Sequence, residues 1–136
     1  MPTQIFINLP VADVSKSQSL YEAMGFSINP KFSDDTAKCM IYSESIFVML
    51  MHKDRFSSFT SKPIADTKNN IAALLSLSQE GTEQMNRTAE SAIKAGATEP
   101  NPMKDYGFMQ LRTIEDFDGH TWEIFFMDES KFPQQS

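Results

Sequence analysis

Between Ile5 and Val11 the chain alternates, with Ile5, Ile7, Leu9 and Val11 on one face and Phe6, Asn8 and Pro10 on the other. A period of two predicts a strand covered on its odd-numbered face. Asp13 then stands where an N-cap belongs, its carboxylate free to accept the unpaired N–H groups of a first helical turn. Val14, Ser17, Leu20, Tyr21 and Met24 follow at helical spacing, and Gly25 holds the position at which a left-handed residue ends a helix. Phe26 to Phe32, Ala37 to Ser43 and Ile46 to His52 read as three more strands, parted by the polar turns Asp34-Asp35 and Ser43-Glu44-Ser45. The last of them is apolar on both faces, Ile46, Val48 and Leu50 against Phe47, Met49 and Met51. Such a strand needs a helix on one side and a second layer or a pocket on the other.

Residues 53–70, KDRFSSFTSKPIADTKNN, break this periodicity with a polar stretch that still carries Phe56, Phe59 and Ile64. A segment this long predicts a connecting loop or a lid. The plan of the first half then returns. Ile71 to Leu77 is an apolar strand, a helix starts at Gly81-Thr82 with Met85, Ala89, Ala92 and Ile93 on one face, and Gly96 stops it. Tyr106 to Ile114 and Thr121 to Met127 supply later strands, joined by EDFDGH. The order of elements repeats although few residues do. The chain therefore reads as one α+β domain over 1–136, with modules at 3–52 and 71–128 and a C-terminal tail at 129–136. Each module is a strand–helix–strand–strand–strand unit. Two such units packed side by side form a cupped mixed sheet with helices outside, because one alone leaves a sheet face bare.

Composition narrows the picture. At 136 residues, 40% apolar and 22% charged, the chain is of ordinary globular make-up and can bury a core without a disulfide or metal staple. Its single cysteine, Cys39, excludes an internal disulfide and any Cys-rich zinc site and reads as a buried strand residue. A net charge of −6, with no Lys/Arg cluster longer than a pair, argues against nucleic acid and against an anionic membrane surface. The start lacks the basic region of a secretory signal, and no apolar run approaches the ~18 residues that span a bilayer. The expectation is a soluble, cytoplasmic domain.

LPVADVSKSQSLYEAMGF near the start and EDFDGHTWEIFFMD near the end resemble the vicinal oxygen chelate superfamily of glyoxalase, bleomycin-resistance and extradiol dioxygenase proteins. Members open with a strand, a Val-x-Asp step, a helix carrying Phe-Tyr or Leu-Tyr, and Gly-Phe. They close on Asp-x-Asp-Gly-Asn or -His before a strand that bears a glutamate. The resemblance runs from about Thr3 to Asp128 and implies paired βαβββ modules assembled as a homodimer. In metal-bearing members four side chains, usually His, Gln or Glu, reach into the cup. Here those positions fall at Phe6, Met49, Leu74 and Glu123, and only Glu123 can ligate a metal. His52 lies three residues beyond Met49, so alternation turns it to the other face, and His120 belongs to a turn.

The expectation is thus a small-molecule-binding protein without a cofactor, whose cup takes an apolar or aromatic molecule. The competing expectation is a divalent-metal lyase, isomerase or dioxygenase of the same superfamily. Asn8 and Ser76 share strand faces with the transferred positions and can act as polar anchors, while Phe56 and Phe59 can close the pocket from 53–70. Glu123 reads either as a desolvated anchor or general base, or as an ion-pair partner of Arg112 or a lysine. Arg112 in turn reads as an anchor for an anionic ligand or as a structural salt-bridge residue.

Overall fold

A computed structural model describes residues 2–132, so the last four residues of the expected 129–136 tail lie outside it. Strand β1 (Ile5–Val11) leads into α1 (Val14–Ala23), and the Asp13 side chain accepts from the Lys16 N–H at 3.0 Å to cap that helix. Strands β2 (Ser27–Asn29), β3 (Ala37–Ile41) and β4 (Ile46–His52) complete the first unit. A five-residue helix, α2 (Lys53–Ser57), opens the connecting segment. The second unit is β5 (Leu74–Ser78), α3 (Thr82–Lys94), β6 (Lys104–Asp105), β7 (Met109–Glu115) and β8 (Thr121–Met127). Gly25 and Gly96 end the two long helices at φ of 102° and 117°, a region that costs a side-chain-bearing residue strain.

Each unit forms a four-stranded mixed sheet, in the orders β1-β4-β3-β2 and β5-β8-β7-β6. In both, the first and last strands pair parallel and the other neighbours antiparallel. This is the expected pair of βαβββ modules.

Several boundaries differ from those the pattern predicts. Strand β2 stops at Asn29, because Pro30 has no N–H to donate and starts a 3₁₀ turn over Pro30–Phe32 instead. Residues 71–73 stay outside β5, leaving Ile71 exposed. The single strand expected over Tyr106 to Ile114 is a hairpin, β6 and β7, that turns at Gly107 with φ of 84°.

One buried cluster runs through both units. Leu9, Val11, Leu20, Tyr21, Met40, Val48 and Leu50 of the first pack with Leu77, Met85, Ala89, Ile114, Trp122 and Ile124 of the second. The Trp122 ring meets both Tyr21 and Phe26 edge-on. Polar ties reinforce this junction, and most come from the turn between β7 and β8. The Tyr21 hydroxyl donates to Asp116 Oδ2 at 2.6 Å and accepts from Trp122 Nε1 at 3.0 Å. Burial, then the adjacent Asp116 carboxylate, pushes the Tyr21 phenol well up, while burial pushes the Asp116 carboxyl up. The Ala12 N–H donates to Asp118 Oδ1, and His120 Nε2 lies 2.8 Å from the Pro10 carbonyl oxygen. Gly119 permits a further approach. A Cβ there would stand 2.2 Å from the Thr67 carbonyl oxygen, so the end of the connecting segment can seat on the turn only with glycine beneath it. Among the described residues no helix is long and apolar enough to cross a membrane.

Candidate functional site

Strand alternation gives each sheet one face toward its helix and one open face. On the second sheet the open face carries Leu74 and Ser76 of β5, Thr121 and Glu123 of β8, and Thr113 and Glu115 of β7. Ser76 pairs directly with Glu123 across the parallel strands, and its hydroxyl donates to Glu123 Oε1 at 2.7 Å. That bond fixes the carboxylate and leaves Oε2 unengaged by any described residue. Thr113 lies opposite Glu123 and Thr121 opposite Glu115, so the two glutamates are diagonal neighbours on one face. Neither is ion-paired among the described residues.

A cavity of about 400 Å³ opens over this face. Leu74, Thr113, Glu115, Thr121 and Glu123 form its floor, residues 67–71 and Pro100-Asn101 its walls, and Lys104 stands at one side. The size suits a small organic molecule. Its chemistry is more polar than the apolar cup expected from Phe6, Met49 and Leu74. Sheet register explains the difference. Thr113 and Glu115 join Glu123 only through the β7–β8 pairing, and the wall at 67–71 has no periodic pattern.

The residues carried over from the resemblance do not all converge. Phe6, Asn8 and Met49 occupy the open face of the first sheet, with Phe6 stacked on Phe47 at 4.4 Å between ring centroids. None of the three lines the Glu123 cavity. Asn8 instead borders a neighbouring crevice. Phe56 lines a third, apolar crevice with Pro10, Pro63 and Ile64. Phe59 is 70% exposed, so neither phenylalanine closes the Glu123 cavity as expected.

Arg112 corrects the anion-anchor expectation. It lies on the helix side of β7, one residue off the face that carries Thr113, and is buried. Its guanidinium donates to both oxygens of Glu99 at 2.8 and 2.9 Å and to Asn86 at 3.2 Å, and it forms an ion pair with Glu90 at 2.8 Å. The salt-bridge reading holds, with Glu99 and Glu90 rather than Glu123 as partners. The two histidines are also accounted for. His52 Nδ1 accepts from the Asp54 N–H at the start of α2, and His120 ties the β7–β8 turn to Pro10.

The family-type metal centre can be tested on its donors. At the four positions Phe6, Met49 and Leu74 offer no lone pair suited to a divalent ion, which leaves one carboxylate supported by a serine hydroxyl. Among the described residues no three His, Cys, Asp or Glu side chains gather at one point. The residues present do not fit such a centre.

No family model matches the sequence, and no curated protein matches it closely enough to count. Solved structures do match. A hypothetical protein from S. aureus superposes with a TM-score of 0.77 at 21% identity, over 93% of this chain and 95% of that one. A glyoxalase/bleomycin resistance protein/dioxygenase family enzyme from Burkholderia phytofirmans superposes at 0.75 with 14% identity, over 93% and 99%. A glyoxalase-related enzyme from Fulvimarina pelagi superposes at 0.76 with 17% identity, over 93% and 88%. The chain has the fold of the glyoxalase/bleomycin resistance/dioxygenase proteins, as its opening and closing motifs imply.

Proposed function

We propose that this chain binds a small organic molecule on the open face of its second sheet, with Glu123 as the group that orients it and without a resident metal. The observation that carries this reading is the Ser76–Glu123 hydrogen bond at the floor of the cavity. One carboxylate oxygen is held by the protein and the other is left for a ligand donor. The aromatic or aliphatic body of the ligand rests on Leu74, Ile71 and Pro100, while its hydroxyl or N–H faces Glu123 Oε2. The same free oxygen can take a proton from a carbon next to a carbonyl, so a metal-independent lyase or isomerase is the catalytic form of this reading. The polar floor, with Thr113 opposite the carboxylate, offers a hydroxyl to a developing oxyanion.

Glu123→Gln keeps the shape and removes the charge. It is expected to weaken binding by about tenfold or more, the scale of one hydrogen bond to a charged group, across a panel of aromatic and carbonyl ligands followed by NMR. Its melting temperature should stay close to that of the parent. Equal binding by parent and variant would sink the proposal. A stoichiometric divalent metal that survives dialysis, found by elemental analysis, would overturn its metal-free part, and turnover in the presence of a chelator separates an enzyme from a binder.

A further inference from the structure

Across residues 67–73 from the Glu123 cavity lies a separate crevice of about 290 Å³. The two share Thr67, Asn70, Ile71, Gly119 and Thr121 as a common wall. The remaining lining is largely apolar and comes from both modules, Ile7 and Leu9 of β1 facing Leu75 of β5, with Ala72 and Ala73 beside them.

His120 and Asn8 are the polar side chains of this crevice outside the shared wall. His120 is 8% exposed, and the cavity it borders is this one. Its Nε2 lies 2.8 Å from the Pro10 carbonyl oxygen, which can only accept, so Nε2 carries the hydrogen. In the neutral ring the lone pair then sits on Nδ1. No described residue donates to Nδ1, and no fully buried side-chain nitrogen or oxygen among the described residues lacks a partner, so Nδ1 is open to solvent. An acceptor open to the crevice holds a water until a ligand donor replaces it. Asp116 and Asp118 of the same turn make the surroundings unfavourable for an anion.

We propose that this crevice is a second ligand site, for a small, neutral, mostly apolar molecule with one hydrogen-bond donor, whose donor meets His120 Nδ1. A phenol is the simplest member of that class. The volume, at the lower end of the usual range for ligand sites, suits one or two rings.

The test is a titration of the protein with phenol, and separately with toluene as the donor-free match, followed by amide and imidazole ¹⁵N resonances. The expected result is saturable shifts at Ile7, Leu9, Leu75 and His120, with a clear move of the Nδ1 resonance, and affinity for phenol about tenfold or more above that for toluene. Ala73→Trp should fill the crevice and abolish the shifts without touching the His120–Pro10 bond, which avoids relying on a His120 variant that loosens the module junction. Equal affinity for toluene would overturn the proposal, as would no saturation or shifts that persist in Ala73→Trp. Shifts centred on Thr113 and Glu123 would overturn it in favour of the first cavity alone, and an Nδ1 resonance unmoved by phenol would overturn it as well, a water then keeping that acceptor.

Discussion

Asn8 faces Met49 on the first sheet as Ser76 faces Glu123 on the second, each pair lying where the first and last strands run parallel. One place further back, Phe6 corresponds to Leu74. The helix-facing positions of the two sheets are filled alike, with Leu9, Val48 and Leu50 in one and Leu77, Trp122 and Ile124 in the other. The open faces have diverged. On the first, Phe6 stacks on Phe47, Met51 and Cys39 are buried, and α2 packs against β1 and β4. On the second, Leu74 is exposed to much the same degree as Phe6, 54% against 47%, but a hydrogen-bonded carboxylate stands at the floor of a cavity. The lesson is a division of labour within a repeated unit. Packing toward the helices holds both modules to one register, and a face free of that duty can become either a second apolar layer or a site.

The modules are variants of one unit, yet their core is shared, and Trp122→Ala tests which relation governs stability. The indole is 2% exposed, packs against Tyr21 and Phe26 of the other module, and donates to the Tyr21 hydroxyl. Removing it should cost about 3–5 kcal/mol, a large share of the ~5–15 kcal/mol that holds a typical domain. Urea denaturation should show a single transition with a lower midpoint. Two separate transitions would show instead that the modules are independent folding units.

A smaller effect separates the modules by charge. In the second, the Arg112 hydrogen bonds hold the Glu99 carboxyl below the ordinary carboxylate range, and the side chains are 10% and 22% exposed. In the first, hydrogen bonds from Thr36 and then Arg55 hold Asp34 down, but that pair is open to water. Glu99→Gln should cost about 1–2 kcal/mol at neutral pH, where the paired carboxylate is ionised. Because the folded pKa is depressed, this contribution is present above the unfolded value of about 4.3 and fades as pH falls through the folded one. Parent and variant should therefore converge in stability on acidification. Asp34→Asn should change little at either pH, since solvent screens its partner. A larger loss from Asp34→Asn than from Glu99→Gln, measured by urea titration at both pH values, would invert the assignment of the stronger ion pair to the second module.

Legibility from sequence followed the same divide. Where one face is committed to the core, the pattern located the element. Asp13 caps α1, Gly25 and Gly96 end α1 and α3, and β4 and β8 occupy the spans of their apolar runs. Leu74 and Glu123 could be put on the cup face through the superfamily resemblance, and counting in twos from Leu74 added Ser76. Thr113 and Glu115 could not, because their approach to Glu123 depends on a pairing register fixed across the Asp116–His120 turn. Arg112, one residue from Thr113, reads equally well toward either face until the partners on α3 and at Glu99 are known. The segment 67–71, which walls two cavities, has no period and is seated by contact with Gly119.

The smallest expected effect on stability comes from making the second sheet resemble the first. Glu123→Met installs the residue found at the corresponding place, and its cost should lie within about 0.5 kcal/mol of zero. The reason lies in what the substitution leaves behind. Ser76 is exposed, so its hydroxyl turns to water once the carboxylate is gone, and no buried donor is stranded. Methionine can lie along Leu74 and Phe125 on the same face and regain apolar contact. Ligand binding should disappear at the same time, because the floor of the cavity then offers no acceptor of comparable strength at that corner. A fall of several degrees in melting temperature would show that the Ser76–Glu123 pair serves the sheet rather than a ligand. An unchanged melting temperature with binding lost would leave the open face of the second module as the part of the repeat released from folding and given to recognition.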